Sequence, residues 1–237
     1  MASRRLSPES VHGRQSEARR NDLAVLDAAR DVFTARGADA PISDVAARAG
    51  VGIGTLYRRY GSKTELLQRL CVLAMEQSMA AATAALAADD AWSGLTLYVR
   101  TCVGVRTGAL AALAGRVETT EEMRRTAGRG MRMVDEIVAR ARADGSLRPD
   151  VTTLDISFLI EQFSRRAPDP VDAKGVDAKG VDTKEVDTTE EANVRDRLLA
   201  IALDGLRGPA LASPAADVLP GRPPSRRAYA ARWSTRG

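Results

Sequence analysis

The sequence predicts an all-α protein in which a small N-terminal domain of three helices is joined to a C-terminal helical bundle. Apolar residues recur at helical spacing along most of the chain. No segment has the alternating pattern or the turn signals of a β-hairpin. Glycine and proline residues fall between the helical segments and mark their ends. We therefore expect helices throughout, apart from the two ends of the chain and one repetitive segment.

Residues 42–60 contain two short helical patterns separated by a glycine-centred turn. The first pattern has one apolar stripe, while Asp44 and Arg48 stay on the side that faces water. Pro41 suits the first turn of this helix, and Gly50 follows its last residue, where a left-handed backbone is usual. The stripe consists of Ile42, Val45, Ala46 and Ala49.

The second pattern buries Leu56 and Tyr60, four residues apart, and turns polar and basic side chains outward or sideways. Two helices joined in this way form a helix-turn-helix, whose second helix lies in the major groove when it binds DNA. Hydroxyl, phenol and guanidinium groups contact phosphates and base edges in such complexes. These groups are on Thr55, Tyr57, Arg58 and Arg59.

Residues from about 19 to 70 resemble the DNA-binding domain of the TetR family of bacterial transcriptional regulators. Arg20 and residues 26–37 are similar to the first helix of that family, which ends at a glycine. Val45-Ala46 and Ala49-Gly50-Val51 are similar to its second helix. Residues 54–60 are similar to its recognition helix, and Ser62-Lys63 and Leu66-Leu67 to the start of its fourth helix.

At two positions the chain departs from the family pattern, which often has histidine at the position of Arg59 and phenylalanine at that of Tyr60. We expect Arg59 to raise phosphate affinity or to add a guanine contact. The hydroxyl of Tyr60 needs a water or a phosphate as partner. Lys63 follows Ser62, a good N-cap, and so favours a phosphate contact at a helix start. The candidate DNA contacts are Arg48, Ile53, Gly54, Thr55, Tyr57, Arg58, Arg59, Tyr60 and Lys63.

For individual residues simpler readings stay open: Arg58 or Arg59 alone is as well explained by a solvated charge as by a base contact. The formal net charge of +4 and the pI of about 9.4 agree with a DNA-binding protein. Residues 1–18 have several arginines and no apolar period, so they predict a disordered basic arm, which either contacts DNA or only aids solubility. Neither a signal peptide nor a membrane span is predicted. We expect a cytoplasmic protein that is associated with the nucleoid when it is bound to DNA.

Few residues of the kinds that support catalysis or metal binding are present. The single histidine, His12, lies in the predicted arm, and there is no nucleophile elbow, histidine and cysteine cluster or phosphate-binding loop. Cys71 and Cys102 are expected to be buried thiols in a reducing compartment, with a redox sensor as the alternative. The sequence therefore predicts no enzyme, no metal and no cofactor.

Residues 67–207 are expected to form the second domain. In the TetR family this region forms the dimer and binds a small molecule, so the resemblance implies a homodimer and an effector pocket. An ordinary core position is the alternative for every candidate in that pocket. Helices are predicted over residues 66–79, 91–114, 118–125, 130–143, 152–165 and 194–206, and the first of these continues from the DNA-binding domain, which ends at about residue 66. The candidate ligand contacts are Trp92, Tyr98, Met123, Met133 and Phe158, with Arg100, Arg106 and Glu161 as polar anchors.

A five-residue tandem repeat over residues 171–190 fits neither a helix nor a strand. We interpret residues 168–191 as a flexible acidic insertion, with a partner-binding or cation-binding segment as the alternative. Residues 208–237 are rich in proline, alanine and arginine without a period, which predicts a disordered basic tail.

Together with the resemblance, these residues imply a regulator of transcription that binds double-stranded operator DNA as a homodimer. The last two helices are the expected dimer surface, and two-fold symmetry implies a nearly palindromic operator. The resemblance favours a repressor that a small molecule releases from DNA, although an activator would have the same sequence features. An effector-independent or architectural DNA-binding protein is the alternative, and an enzyme is disfavoured.

Overall fold

The computed structural model describes residues 8–165, 188–208 and 210, with side chains described from residue 20 in the first range and from residue 193 in the second. Within these residues there is no strand, and one isolated bridge pairs Leu147 with Arg207. The all-α prediction is confirmed. The helices are α1 (Pro8–Arg36), α2 (Ile42–Ala49), α3 (Ile53–Tyr60), α4 (Lys63–Leu86), α5 (Ala91–Gly104), a 3-10 helix (Thr107–Leu113), α6 (Glu121–Ala143), α7 (Thr153–Phe163) and α8 (Thr188–Asp204).

The chain divides into two compact units, Met1–Leu70 and Cys71–Gly237, and the division falls inside α4. The first unit packs its helices around a small apolar core. Burying each such side chain contributes about 1.5 to 3 kcal/mol, so this core holds the two short helices α2 and α3 in place. Its most buried large side chains are Leu26 and Phe33 of α1, Val45 of α2, Leu56 of α3, and Leu66 and Leu70 of α4.

The turn between α2 and α3 has the predicted form. Gly50 follows α2 with φ 66°, in the left-handed region, and its amide closes the helix on the carbonyls of Ala46 and Ala47. Pro41 lies at the N-cap of α2. Three residues of the predicted stripe are buried, and the fourth, Ala49, is half-buried.

The start of α1 corrects the expectation of a disordered arm over residues 1–18. The helix begins at Pro8, so residues 8–18 are helical, while residues 1–7 lie outside the described residues. Proline suits a first turn, and the glutamate, glutamine, arginine and alanine residues that follow favour a helix. Extending a helix that is already packed costs far less than nucleating one, so an apolar period was not required here.

The helix expected over residues 91–114 is shorter than predicted. It ends at Gly104, Arg106 takes a left-handed conformation with φ 57°, and the chain continues as the 3-10 helix. A Cβ at Gly108 would lie 2.7 Å from the Cα of Glu161, which shows how closely this segment packs on α7. The chain must leave the axis of α5 to make this contact with α7, so α5 ends before residue 114.

The two helices expected over residues 118–125 and 130–143 are one helix, α6. It begins at the N-cap Thr120, whose hydroxyl accepts a hydrogen bond of 3.2 Å from the amide of Met123. Gly128 and Gly130 do not interrupt it. A glycine inside a helix costs about 1 kcal/mol relative to alanine, and burial of the apolar face offsets this. The buried face includes Val134, Ile137, Val138 and Ala141.

The last two helices pack on the same core of the second unit. The N-cap Thr152 of α7 and Asp155 form a capping box, in which each side chain bonds the other residue's backbone amide. Leu199 and Leu203 are the buried side chains of α8.

The expected insertion over residues 168–191 lies largely outside the described residues, although residues 188–191 form the start of α8, which corrects that part. The expected tail over residues 208–237 also lies outside them, apart from Gly208 and Ala210. In the described part of the chain, no helix is both long enough and apolar enough to cross a membrane.

Candidate nucleic-acid interface

Helix α3 is anchored by two side chains and exposes the rest of its surface. Leu56 is 1% exposed and Tyr60 is 7% exposed, so the side of the helix that carries them faces the core. Gly52 precedes the helix as its N-cap, and Gly61 follows it. The predicted contact residues that the structure leaves exposed on this helix are Ile53, Gly54, Thr55, Tyr57, Arg58 and Arg59.

The exposed side of α3 combines positive charge with hydroxyl and apolar groups. Arg58 and Arg59 lie in its last turn, and there is no acidic residue in its first turn. The Arg58 Nη2 donates a hydrogen bond of 3.1 Å to the Thr55 hydroxyl. Ile53 and Tyr57, 45% and 47% exposed, add apolar surface. Such a surface suits both phosphate oxygens and the edges and methyl groups of bases.

Arg59 and Tyr60 share one partner, Asp22 of α1. The Arg59 Nε lies 2.7 Å from the Asp22 Oδ1, and the Tyr60 hydroxyl donates a hydrogen bond of 2.5 Å to the same oxygen. The sequence predicted a water or a phosphate for this hydroxyl, and that expectation was wrong because a carboxylate of α1 lies within reach. Tyr60 is buried. Of the DNA contacts that the sequence predicted on α3, it is therefore the one that faces the core.

The environment of Tyr60 keeps its hydroxyl protonated. Burial raises the pKa of Tyr60 well above its ordinary value, and the hydrogen bond to Asp22 raises it further. The hydroxyl therefore donates to Asp22 throughout the neutral pH range.

Arg48 of α2 also binds a carboxylate of α1. Its Nη2 and Nε lie 2.7 Å and 3.1 Å from the Asp31 Oδ2, and Arg36 pairs with Asp44 across the same two helices. The sequence interpretation missed Asp22 and Asp31 because their partners are 17 or more residues away. The available signal was the presence of aspartates in an otherwise basic first helix.

The start of α4 has the predicted cap. Ser62 accepts a hydrogen bond of 3.1 Å from the amide of Glu65, and its hydroxyl lies 3.2 Å from the Glu65 carboxylate. The Lys63 ammonium lies 5.8 Å from the centre of the Phe33 ring. Lys63 is thus half-buried at a helix start, where its charge adds to the backbone amides.

Of the five candidate ligand contacts in the second unit, Trp92 alone lines the groove that the described residues form between α5 and α8. Tyr98 is 5% exposed and its hydroxyl hydrogen-bonds Ser78 at 3.0 Å, and Met123 is 4% exposed. Met133 packs against the core, and Phe158 is half-buried. Trp92 instead lies in an open groove of about 590 Å³ between α5 and α8, with the Arg207 guanidinium 5.0 Å from its ring centre. The groove is lined by Trp92, Thr96, Arg100, Arg197, Ala200, Ile201, Leu203, Asp204 and Arg207.

Cys71 and Cys102 are free and buried, as predicted. Burial raises the pKa of the Cys71 thiol to about 11 and also raises that of Cys102, so both stay protonated near neutral pH. Among the residues that the structure describes, no group of three or more histidine, cysteine, aspartate or glutamate side chains could hold a metal ion.

Residues 25–70 match the family model described as bacterial regulatory proteins of the tetR family. The match spans the described core of the first unit and includes both α2 and α3. Among curated proteins, no significant sequence match was found.

Many solved structures resemble this chain. A TetR transcriptional regulator of Streptomyces coelicolor is 22% identical with a TM-score of 0.50, covering 80% of this chain and 99% of that chain. A TetR regulatory protein of Mycobacterium vanbaalenii is 26% identical, with a TM-score of 0.49 and coverage of 81% and 98%. A ketosteroid transcriptional regulator of Mycobacterium tuberculosis is 20% identical with a TM-score of 0.49, and the alignment covers 79% of this chain and 95% of that chain. The first of these shows a shared all-helical fold. Residues 25–70 therefore resemble the helix-turn-helix unit of bacterial regulatory proteins of the tetR family, and the chain shares the all-helical fold of the Streptomyces coelicolor regulator.

Proposed function

We propose that the protein is a homodimeric repressor that binds a palindromic operator through α3 and leaves it when a small molecule binds. In this proposal α3 lies in the major groove and Lys63 contacts a flanking phosphate. The other proposed contacts are Arg48, Ile53, Gly54, Thr55, Tyr57, Arg58 and Arg59. Tyr60 is no longer among them, because its ring is buried and its hydroxyl donates to Asp22.

The observation that carries this proposal is the exposed surface of α3. Leu56 and Tyr60 fix the helix to its core, while two arginines, a threonine and a tyrosine point away from that core. Ile53 and Tyr57 are both exposed and lie one helical turn apart, so contacts in a DNA groove would cover both side chains. Guanidinium groups also bind guanine edges in a bidentate manner.

An apolar stripe on α8 supports the homodimer. Val194, Leu198 and Ile201 are 52%, 50% and 59% exposed, and their spacing of four and three residues places them on one side of the helix. A contiguous exposed apolar surface marks an interaction site, and pairing with its symmetry mate would bury it. We propose that α7 and α8 of two protomers form this interface.

The groove beside Trp92 supports an effector site in the second unit. Its arginines and its apolar side chains together suit a ligand with an anionic group and an apolar body. An effector-independent regulator is the alternative. It is favoured because the other four candidate residues do not line the groove: Tyr98, Met123 and Met133 are buried or pack against the core, and Phe158 is half-buried elsewhere on α7.

The test is binding of the full-length protein to the DNA upstream of its own gene, at several salt concentrations and against a scrambled duplex. The variant Arg58→Ala/Arg59→Ala is compared with Arg124→Ala/Arg125→Ala. That control also removes two adjacent exposed arginines, but from α6 in the second unit. We expect the first variant to lose specific binding and the control to retain it.

Two further results would decide between the alternatives. Equal affinity for both duplexes, unaffected by the α3 variant, would overturn the proposal that α3 reads bases and would favour an architectural protein. Once a specific complex has been found, anionic amphiphilic compounds are added to it. Release of the wild-type protein from the DNA, but not of Trp92→Ala, would support the effector site. Release that Trp92→Ala leaves intact would place the effector elsewhere.

A further inference from the structure

The two arginines of α3 have different partners, although they are adjacent in the sequence. Arg58 donates to the neutral hydroxyl of Thr55, a residue of the same helix. Arg59 forms an ion pair with Asp22, on a different helix. Its positive charge is therefore compensated inside the protein, whereas the Arg58 hydrogen bond brings no negative charge.

Asp22 is held in place for this contact. Its Oδ1 accepts the Tyr60 hydroxyl as well as the Arg59 Nε, at 2.5 Å and 2.7 Å. Tyr60 is 7% exposed, so its ring cannot move without disturbing the core. The carboxylate side chain of Asp22 is 24% exposed and that of Arg59 is 36% exposed. The pair lies at the edge of the α3 surface, partly within reach of solvent and of an approaching phosphate.

A DNA phosphate and the Asp22 carboxylate are competing anions for the same guanidinium. When the protein lies on DNA in an arbitrary register, a phosphate that contacts Arg59 must share its charge with Asp22 or displace that carboxylate, and in both cases it gains less than from an uncompensated arginine. Nonspecific affinity consists almost wholly of such phosphate contacts, so each arginine withheld from them lowers it. In the correct register an arginine already oriented by a carboxylate can face a base edge at less entropic cost.

We propose that Asp22 is a specificity-determining residue that withholds Arg59 from nonspecific phosphate contacts and orients it for the operator. This inference rests on the proposed function, because it requires α3 to bind DNA. Removing the Asp22 charge should therefore strengthen binding to arbitrary DNA and weaken the preference for the operator.

The experiment measures full-length wild type and Asp22→Asn on a scrambled duplex at several salt concentrations, and then on the operator. Asparagine keeps an acceptor for the Tyr60 hydroxyl and removes the charge. The matched control is Asp27→Asn, which also removes an aspartate of α1 but one whose partner, Arg30, is buried at 5% exposure. Asp22→Ser is measured alongside, with circular dichroism of every variant to show that it is folded.

For Asp22→Asn we expect about two- to five-fold tighter binding to the scrambled duplex, the range of a partly exposed ion pair. We also expect a salt slope steeper by about 0.9, the value for one more phosphate contact, and a smaller ratio of operator to scrambled affinity. Adding Arg59→Ala to Asp22→Asn should abolish the increase. Unchanged or weaker nonspecific binding in folded Asp22→Asn and Asp22→Ser, or the same gain in Asp27→Asn, would overturn the inference.

The outcomes separate this inference from the proposed function. If wild type binds no duplex at all, both fail. If wild type prefers its operator and loses it on removal of Arg58 and Arg59, the proposed function stands. The Asp22 variants then decide the inference alone.

Discussion

Tyr60 combines a buried ring with a hydroxyl that requires a partner, and Asp22 supplies that partner from α1. The same carboxylate binds Arg59, so one residue of the first helix determines the surroundings of two residues at the end of α3. A ring in the core therefore positions a charge at the surface. The Tyr60 hydroxyl therefore links the core of the first unit to the surface of α3 that is proposed to bind DNA.

The ionisation of Tyr60 should be delayed to high pH. Burial and the Asp22 hydrogen bond raise its pKa above the ordinary value of 10.0. A raised folded-state pKa means that the stabilisation is fully present below the unfolded pKa near 10 and is lost as the pH rises through the folded value. In an ultraviolet titration, the wild type minus Tyr60→Phe difference should show no tyrosinate signal near pH 10 while the protein stays folded. A signal there would show that the hydroxyl is accessible to solvent and unpaired.

The same substitution should lower stability at neutral pH. Tyr60→Phe removes one hydrogen bond from a carboxylate, a loss of about 1.5 to 3 kcal/mol, and lowers the midpoint of urea unfolding. Tyr57→Phe is the matched control, because Tyr57 is 47% exposed and its hydroxyl contributes little to the fold. Equal midpoints for the two variants would show that the Asp22 contact does not stabilise the protein.

At the scale of elements, the helix-turn-helix could be predicted from the sequence because its signals are local. The spacing of the apolar residues and the position of Gly50 can both be read from a stretch of fewer than twenty residues. The contacts of Asp22 and Asp31 could not be predicted in this way, since they depend on how α1 packs against α3 and α2. The limits of α5 were missed for the same reason, because the close approach of Gly108 to α7 is a tertiary contact.

The turn between α2 and α3 should depend on the backbone conformation of Gly50 and not on space around it. Nothing lies within 4 Å of a Cβ built at Gly50, but its φ of 66° is unfavourable for other residues. Gly50→Ala should therefore destabilise the first unit by about 1 to 2 kcal/mol, and Gly50→Asn by less. Gly52→Ala is the control, since Gly52 has an ordinary φ of −69° and its nearest neighbour to a Cβ would be 3.9 Å away. Thermal unfolding measures the three variants, and an equal loss in Gly52→Ala would refute the conformational explanation.

At the scale of the whole molecule, DNA recognition and dimerisation are linked in the proposed mechanism. One α3 has eight residues and offers few contacts, so in this mechanism the specific site is formed by two copies of α3 on successive major grooves, roughly 34 Å apart. The second unit must then supply the interface, and the exposed apolar stripe of α8 is the surface proposed for it. In this mechanism operator affinity should fall whenever that stripe is disrupted.

Leu198→Glu should convert the dimer to a monomer, because a symmetric interface would bring two carboxylates into one apolar contact. Analytical ultracentrifugation should show the mass of one chain, and operator binding should become much weaker and half as steep in its dependence on salt, since half the phosphate contacts remain. Leu23→Glu is the control for mass, as Leu23 is an equally exposed leucine at 46%, on α1 of the first unit. Leu198→Glu that stays dimeric would exclude the centre of this stripe from the interface. A monomer that still binds the operator like wild type would separate dimerisation from recognition and contradict the proposed mechanism.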